Sequence, residues 1–265
     1  MPATLTELTV YPLKSGGGTA LSRAELLPTG LRYDREFMLV TPEGRFLSQR
    51  EHAAMARMRP VYDGAELTVR ADGREPLVHK AVDEGPVLDV TVHRSSCQGV
   101  DQGDRAAAWF SDLLDAECRL VRFTGHRPTS RGGGEVAFAD GYPLLVISVE
   151  SLADLNGRLP EPLPMNRFRP SLVIAGLGAF GEDRVRRMRI GAGPDAVEIE
   201  VVKPCARCVI TTTDQETGER GREPLRTLAT YRTLDRGIRF GQNAVPRAAG
   251  TLAVGDPVEV LETAG

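Results

Sequence analysis

Short strand-like segments recur along the chain, and they limit its fold more than any other feature. Several of them alternate apolar and polar residues, a period of two that indicates a β-strand with one buried face. Gly- and Pro-rich turns, rather than regular helical crossovers, separate them. The segments include 35–40, 44–49, 66–70, 88–92, 144–147, 171–176, 197–202 and 257–261. This pattern predicts an α+β, β-rich fold with barrel-like sheets, and it disfavours a doubly wound parallel sheet.

A few segments have helical periodicity instead. The predicted helices are 52–58, 101–116 with Asp101 or Asp104 as its cap, one that follows Ser148 as N-cap, and a short one with Pro224 at its first position. The stretch 127–142 is rich in Gly, Arg and Ser and is predicted to be a mobile loop. The pattern changes between residues 90 and 130, so we predict two domains, 1–95 and 96–265.

The composition excludes several classes of protein. A formal net charge of −3 and an aromatic content of 5% are unlike those of a dedicated nucleic-acid-binding protein. Four cysteines are too few for a secreted disulfide scaffold. The N-terminus has no basic leader or apolar core, and the longest dense apolar run, 144–147, is far too short to cross a membrane. We therefore expect a cytoplasmic protein without nucleic-acid or membrane partners.

The segment KPCARCVITTTD, at 203–214, carries the most chemical information. It places Cys205 and Cys208 close to Arg207, and its β-branched residues predict that a strand follows Cys208. Four interpretations are open: half of a zinc site, a thioredoxin-like redox pair, a single thiolate at Cys208 activated by the Arg207 guanidinium, and two inert buried cysteines. The lack of a second CxxC pair disfavours zinc, and the predicted strand disfavours the redox pair, which usually begins a helix. A thiolate would suit a soft or high-valent metal centre.

Motifs along the chain resemble those of the MOSC-domain family. The cysteine segment is similar to the family's C-x-R-C-x-x-T-T pattern. The other matching motifs are YPLKS at 11–15, GLRYDR at 30–35, FADGYP at 138–143, MNRFRP at 165–170, EPLRTLATYR at 223–232, FGQ at 240–242 and VGDPV at 254–258. They occur in the family's order. The resemblance implies the MOSC-associated N-terminal β-barrel-like domain over 1–95 and a MOSC β-barrel with a few helices over 96–265.

The same resemblance implies a molybdenum cofactor and the residues that bind it. Cys208 would be the metal ligand and the catalytic residue. The cofactor-binding residues would be Lys14, Ser15, Arg35, Tyr142, Arg169, Ala206 and Arg207. Their chemistry agrees, because arginine offers paired planar donors to a phosphate and lysine adds a point charge.

Two further expectations concern this phosphate site. The run 16–18, three glycines, is expected to expose backbone N–H groups to the anion. Each arginine, taken alone, also fits a solvated surface position. We therefore expect Arg35 and Arg169 to be replaceable by alanine with little effect on folding.

The resemblance also implies an activity. Within the family the chain is similar to the mitochondrial amidoxime-reducing component and its bacterial counterparts, which reduce N-hydroxylated compounds. A small-molecule substrate would be reduced with electrons from a separate ferredoxin, flavodoxin or cytochrome, since the four cysteines lack the spacing of cluster ligands. The alternative is a cofactor or sulfur carrier that uses Cys208 without substrate turnover, and a third option is a cofactor-free binding module. Asn243 departs from relatives that carry an aromatic residue at this position.

Overall fold

The structure is a computed structural model that describes residues 2–264. Within this range the strands are β1 (Ala3–Val10), β2 (Thr19–Leu21), β3 (Arg23–Leu27), β4 (Gly30–Leu31), β5 (Phe37–Val40), β6 (Arg59–Tyr62), β7 (Glu66–Arg70), β8 (Leu77–Lys80), β9 (Val87–Val92), β10 (Ser95–Asp101), β11 (Arg119–Thr124), β12 (Leu144–Ser148), β13 (Leu172–Ala175), β14 (Val185–Ile190), β15 (Val197–Ala206), β16 (Thr233–Leu234), β17 (Gly237–Pro246), β18 (Gly250–Ala253) and β19 (Pro257–Thr263). The α-helices are α1 (Asp104–Leu114), α2 (Val149–Asn156) and α3 (Leu225–Leu228). Short 3₁₀ helices lie at Ala53–Arg57, Met165–Phe168, Gly181–Arg184, Gly193–Asp195 and Val209–Thr212. The predicted β-rich α+β class is confirmed.

Seven strands close into a barrel. They run in the order β12-β13-β1-β19-β14-β15-β17, and pairing of β12 with β17 completes the ring. Only β12 and β13 are parallel neighbours among these described strands. Closure pairs the edges that an open sheet would leave exposed. Apolar side chains fill the interior, among them Leu5, Val146, Ile174, Met188 and Ile199.

A second lobe is built from smaller sheets. One has the order β5-β11-β10-β9 and another the order β6-β7-β8. Helix α1 buries Ala106 and Phe110 in the core of this lobe, which also contains Leu39 of β5 and Leu67 of β7. The hairpin of β9 and β10 pairs Val92 with Ser95, so it spans the predicted boundary at 95/96. That boundary stays a prediction.

Strand predictions succeed where the alternation is strong. The predicted strand at 66–70 is β7, and 197–202 lies within β15. The prediction for 44–49 is wrong, because this segment makes only isolated bridges, Phe46 with Val40 and Arg45 with Thr91. The chain turns at both ends of the segment: Gly44 has a φ of 80°, and the N–H of Glu51 donates to the carbonyl of Ser48.

Helix predictions are mostly correct in place and less so at their ends. Ser148 caps α2 as predicted, since its Oγ accepts the N–H of Glu150 at 3.2 Å. The helix predicted over 101–116 is shorter and begins after Gly103, because the Asp101 carboxylate binds the Gly103 N–H instead of capping the helix. The helix predicted over 52–58 is a 3₁₀ helix, and α3 begins one residue after Pro224. None of the helices in residues 2–264 has the length and apolar content needed to cross a bilayer.

Candidate functional site

A cleft of about 890 Å³, open to solvent, lies where the barrel meets the second lobe. All eight predicted site residues line it: Lys14, Ser15, Arg35, Tyr142, Arg169, Ala206, Arg207 and Cys208. The lining also includes side chains that the sequence analysis did not assign to the site, namely Phe46, Gln49, Arg50, Asp140, Phe168 and Cys205, and it includes Asn243. Residues as far apart in the sequence as Lys14 and Asn243 therefore meet on one surface.

Three of the predicted residues have left-handed backbone. The φ angles are 65° at Ser15, 51° at Arg35 and 56° at Arg169. Residues other than glycine rarely adopt this backbone conformation, because it costs about 1–2 kcal/mol per residue. The surrounding structure must therefore stabilise it. The Arg35 N–H donates to the carbonyl of Tyr11 at 2.8 Å, and that of Arg169 to Asn166 at 3.2 Å. Strained backbone of this kind concentrates at binding sites.

Arg35 and Arg169 stack on one aromatic ring. Their guanidinium carbons lie 4.2 and 4.3 Å from the centroid of the Tyr11 ring, whose hydroxyl donates to the Pro170 carbonyl. Burial raises the pKa of Tyr11 to about 12, and burial with the nearby charge of Arg35 lowers the pKa of Arg169 to about 10. Arg169 therefore remains charged at neutral pH, and its guanidinium and that of Arg35 pack against the same ring. An anion would relieve their repulsion.

The carboxylate of Asp34 holds Arg35 in place. Its Oδ2 lies 2.5 Å from Arg35 Nη1, and its Oδ1 accepts the N–H of Tyr11. The Asp34 side chain is only 1% exposed. Removal of Arg35 would leave this buried carboxylate unpaired. The expectation that Arg35 can be replaced with little effect on folding is therefore not supported.

The cation beside Cys208 is a different one from that predicted. Arg207 donates to the Sγ of Cys205 at 3.1 Å and to the Phe168 carbonyl at 2.7 Å. Arg50 instead approaches Cys208, with 3.6 Å between Nη2 and Sγ. Neighbouring side chains on extended backbone point to opposite sides, so Arg207 turns away from the residue that follows it.

The strand predicted after Cys208 is wrong. Residues Val209–Thr212 form a 3₁₀ helix, and the N–H of Thr211 donates to the Cys208 carbonyl. The hydroxyls of Thr211 and Thr212 donate to the carbonyls of Cys208 and Val209, three residues back, which supports the helical turn locally. The strand was also the reason for disfavouring a redox pair, and that reason no longer holds.

Both cysteines of this segment are accessible. Cys205 and Cys208 are partly buried and line the cleft, so the interpretation of two inert buried cysteines is wrong. Within the described chain, no group of three or more His, Cys, Asp or Glu side chains could hold a metal ion. The zinc interpretation therefore gains no support from the structure.

The side chain of Lys14 is bound to neighbouring groups in the wall of the cleft. Its side chain is 5% exposed, and its Nζ donates to the Phe138 carbonyl at 2.8 Å and forms an ion pair with Asp140. Asp140 also lies 3.3 Å from Nε2 of His93. Desolvation by the surrounding groups acts to raise the pKa of Asp140, whose side chain is still 57% exposed, but Lys14 and His93 hold it well below its ordinary value. Burial lowers the pKa of Lys14, and Asp140 opposes that effect.

Gly16 and Gly17 have a packing role rather than the predicted anion-binding one. The N–H groups of Gly16 and Gly17 already donate to the carbonyls of Leu13 and Met58. A Cβ on Gly17 would lie 2.6 Å from the Met58 oxygen. Glycine is needed there because two backbone segments come so close.

The loop predicted to be mobile, 127–142, is anchored along its second half. The buried Arg127 guanidinium donates to the carbonyls of Ala137, Ala139 and Asp140, at 2.8, 2.5 and 3.0 Å. Tyr142, at the end of the loop, hydrogen-bonds Ser130 through its hydroxyl at 2.9 Å. The second half of the loop therefore forms a hydrogen-bonded wall of the cleft.

Two of the unassigned residues differ in how the sequence could have identified them. Asp140 lies inside the FADGYP motif, so its position beside the cleft could have been inferred. Arg50 lies in the unremarkable run SQRE, and only the long-range packing of its turn brings it to Cys208.

Comparison with known families and proteins finds matches along nearly the whole chain. A model described as "MOSC N-terminal beta barrel domain" matches residues 2–117, and one described as "MOSC domain" matches residues 133–259. Mitochondrial amidoxime-reducing component 1 of Mus musculus is 36% identical, over 97% of this chain and 82% of that protein. The Homo sapiens protein of the same name is 35% identical, over 97% and 83% of the two chains. Mitochondrial amidoxime reducing component 2 of Bos taurus is 34% identical, over 96% and 82%.

Proposed function

The chain belongs to the MOSC domain family, in the group with an N-terminal MOSC β-barrel, and from this we propose that it is a molybdenum-cofactor-dependent oxidoreductase that reduces N-hydroxylated compounds. One observation carries the proposal: the partly exposed thiol of Cys208 shares a single cleft with five cationic side chains, namely Lys14, Arg35, Arg50, Arg169 and Arg207. The similarity to amidoxime-reducing components, which extends over most of both chains, supports the reaction class.

The side chains of the cleft fit this cofactor. Arg35 and Arg169, stacked on Tyr11, offer guanidinium donors to its phosphate. The Nε of Arg207 is a buried donor that has no partner within the described chain. A pterin edge would satisfy it, and an unmade bond at such a group is costly. Cys208 would supply the thiolate ligand, and the Ser15, Tyr142 and Ala206 positions would line the rest of the binding surface.

The cofactor, the residues of the cleft and a separate electron donor would have different roles in the reaction. The cofactor would supply the two-electron redox centre, and the reaction would consume two electrons and two protons to convert an N-hydroxyl group into an N–H group and water. Lys14 is already bound to Asp140 and the Phe138 carbonyl, so its charge would act on the phosphate through the field of the cleft. We propose that the electrons come from a separate ferredoxin, flavodoxin or cytochrome. The cytoplasmic location stays a prediction.

Metal analysis of cysteine variants tests the proposal. We expect purified wild type to contain molybdenum and Cys208→Ser to contain little or none, because serine removes the only thiolate offered to the metal at that position. Cys205→Ser separates the two cysteines of the cleft, and the half-buried Cys97→Ser is a control outside it. Both should retain the metal. Reduction of hydroxylamine by wild type, with reduced methyl viologen as donor, should follow the metal content.

Two results would count against this function. An equal molybdenum content in wild type and Cys208→Ser would show that Cys208 is not the metal ligand. A persulfide on Cys208, in protein that holds no metal and turns over no hydroxylamine, would favour the carrier instead.

A further inference from the structure

Arg50 reaches the cysteine segment from the other lobe. It lies in the turn between Ser48 and His52, and its guanidinium Nη2 is 3.6 Å from the Cys208 Sγ. The neighbouring Gln49 fixes the turn: it is fully buried and donates to the Ser15 carbonyl at 2.8 Å and to the Gln215 side chain at 3.2 Å. The position of Arg50 is therefore set by packing between the lobes rather than by a flexible side chain alone.

Asp140 approaches the same guanidinium nitrogen that faces the Cys208 sulfur. Its Oδ2 lies 3.8 Å from Arg50 Nη2, while its Oδ1 faces Lys14 and His93. A carboxylate whose pKa is well below its ordinary value remains charged at neutral pH. One nitrogen of Arg50 is thus close to both a charged carboxylate and the sulfur, and 29% of the Arg50 side chain is exposed.

We propose that Arg50 is a positioning residue for the Cys208 sulfur, donating a charge-assisted hydrogen bond that holds it toward the cleft. The inference rests on the proposed function, in which that sulfur binds a metal. Groups that hydrogen-bond a ligand atom orient it and tune the metal, and a guanidinium remains charged where a lysine could lose its proton. Asp140 would in turn keep Arg50 in its orientation.

Two alkylating reagents can detect the cation without any metal. Iodoacetate is an anion and iodoacetamide is neutral, but both react with the thiolate, so the thiolate fraction cancels in the ratio of their rates at one pH. A positive charge about 4 Å from sulfur should raise the iodoacetate rate selectively, by about fivefold in a water-like medium. Full-length protein from a host that cannot make the cofactor is used at low salt, where screening is weak.

We expect Arg50→Gln to lower the rate ratio at Cys208 about fivefold, and Arg50→Lys, which keeps the charge, to restore much of it. Arg45→Gln is the matched control, since Arg45 is in the same segment, is 57% exposed and pairs with Glu51 at 2.6 Å. Cys205 is an internal reference, because its neighbouring cation is Arg207. Trypsin cuts after Arg207 and so places the two cysteines on separate peptides for mass spectrometry.

The outcomes separate this inference from the proposed function. An unchanged ratio in Arg50→Gln, in protein with the wild-type unfolding temperature, would overturn the role of Arg50 even if wild type contains molybdenum. A lowered ratio, together with wild type that never contains molybdenum, would support Arg50 beside the thiolate and reject the proposed function. In metal-loaded protein, Arg50→Gln should change the reduction potential of molybdenum, and Arg45→Gln should not.

Discussion

The Lys14–Asp140 pair places a nearly inaccessible ammonium group beside a partly exposed carboxylate. Asp140→Asn would leave the Lys14 charge poorly compensated, and we expect a loss of about 1–3 kcal/mol in the free energy of unfolding at neutral pH. The loss should be smaller than for a fully buried pair because 57% of the Asp140 side chain is exposed. Urea denaturation of both proteins measures it. Asp83→Asn is the control and should cost less than about 1 kcal/mol, because Asp83 is exposed and Glu36 still pairs with Arg122.

The pH dependence of the same pair has a defined sign. The pKa of Asp140 is lowered in the folded chain, so its stabilising contribution is complete above the ordinary aspartate pKa of about 3.9 and is lost as the pH falls through the folded value. The difference between wild type and Asp140→Asn should therefore shrink on titration from neutral pH to about pH 3. A difference that stays constant over this range would contradict the ion pair.

Sequence motifs and long-range packing contribute differently to the site. The resemblance brought together eight residues that the structure places on one cleft, although it did not show which of them contact each other. The residues of the cysteine segment alone predict a pairing of Arg207 with Cys208, whereas the guanidinium nearest that sulfur is that of Arg50. A contact across 158 positions depends on how two lobes pack, and no local pattern encodes it.

At the scale of elements, the loop 127–142 depends on Arg127. Its guanidinium satisfies three backbone carbonyls, and Arg127→Gln cannot reach all of them. We expect a loss of about 2–4 kcal/mol in the free energy of unfolding, from buried carbonyls left without donors. Hydrogen exchange should also increase over 136–140. Arg131→Gln, at an exposed position of the same loop, is the matched control, and equal exchange in the two variants would contradict an anchoring role.

Helices and strands could be predicted from the sequence where the pattern of buried and exposed residues alone determines the secondary structure. Strands such as β7 and β15 show their alternation directly, because one face packs in the core and the other meets solvent. The prediction failed at Val209–Thr212, where threonine hydroxyls donate to carbonyls three residues back and support a helical turn despite the β-branched composition. The loop 127–142 was predicted to be mobile because one buried arginine gives little signal among its glycines.

For the whole molecule, the decisive feature is that the first strand of the chain and the last, β1 and β19, are neighbours in one barrel. β1 pairs with β13 and β19, and the chain then leaves the barrel to build the second lobe before it returns. The residues that follow β1, Lys14 and Ser15, therefore start at the junction of the lobes. Pairing between distant strands cannot be inferred from a period of two, which shows that a segment is a strand but not its neighbours.

This arrangement predicts that cofactor and fold stabilise each other across the cleft. A ligand that binds the folded chain alone raises its unfolding free energy, and each tenfold loss of affinity removes about 1.4 kcal/mol of that gain. Arg169 joins the barrel side to the second-lobe side, since it stacks on Tyr11 and donates to the Gly16 carbonyl at 2.6 Å. Arg169→Met should therefore reduce the gap in unfolding temperature between cofactor-loaded and cofactor-free protein.

Calorimetry of protein from cofactor-producing and cofactor-deficient hosts measures this gap. Arg158→Met is a matched control, because Arg158 also stacks on a tyrosine, Tyr231, at 4.2 Å but lies outside the cleft. It should lower both unfolding temperatures by similar amounts and keep the gap. Arg169→Met should lower the unfolding temperature of the loaded protein more than that of the cofactor-free protein, because part of the contribution it removes depends on the bound anion. A gap as wide in Arg169→Met as in wild type would mean that this arginine holds the lobes together and not the cofactor.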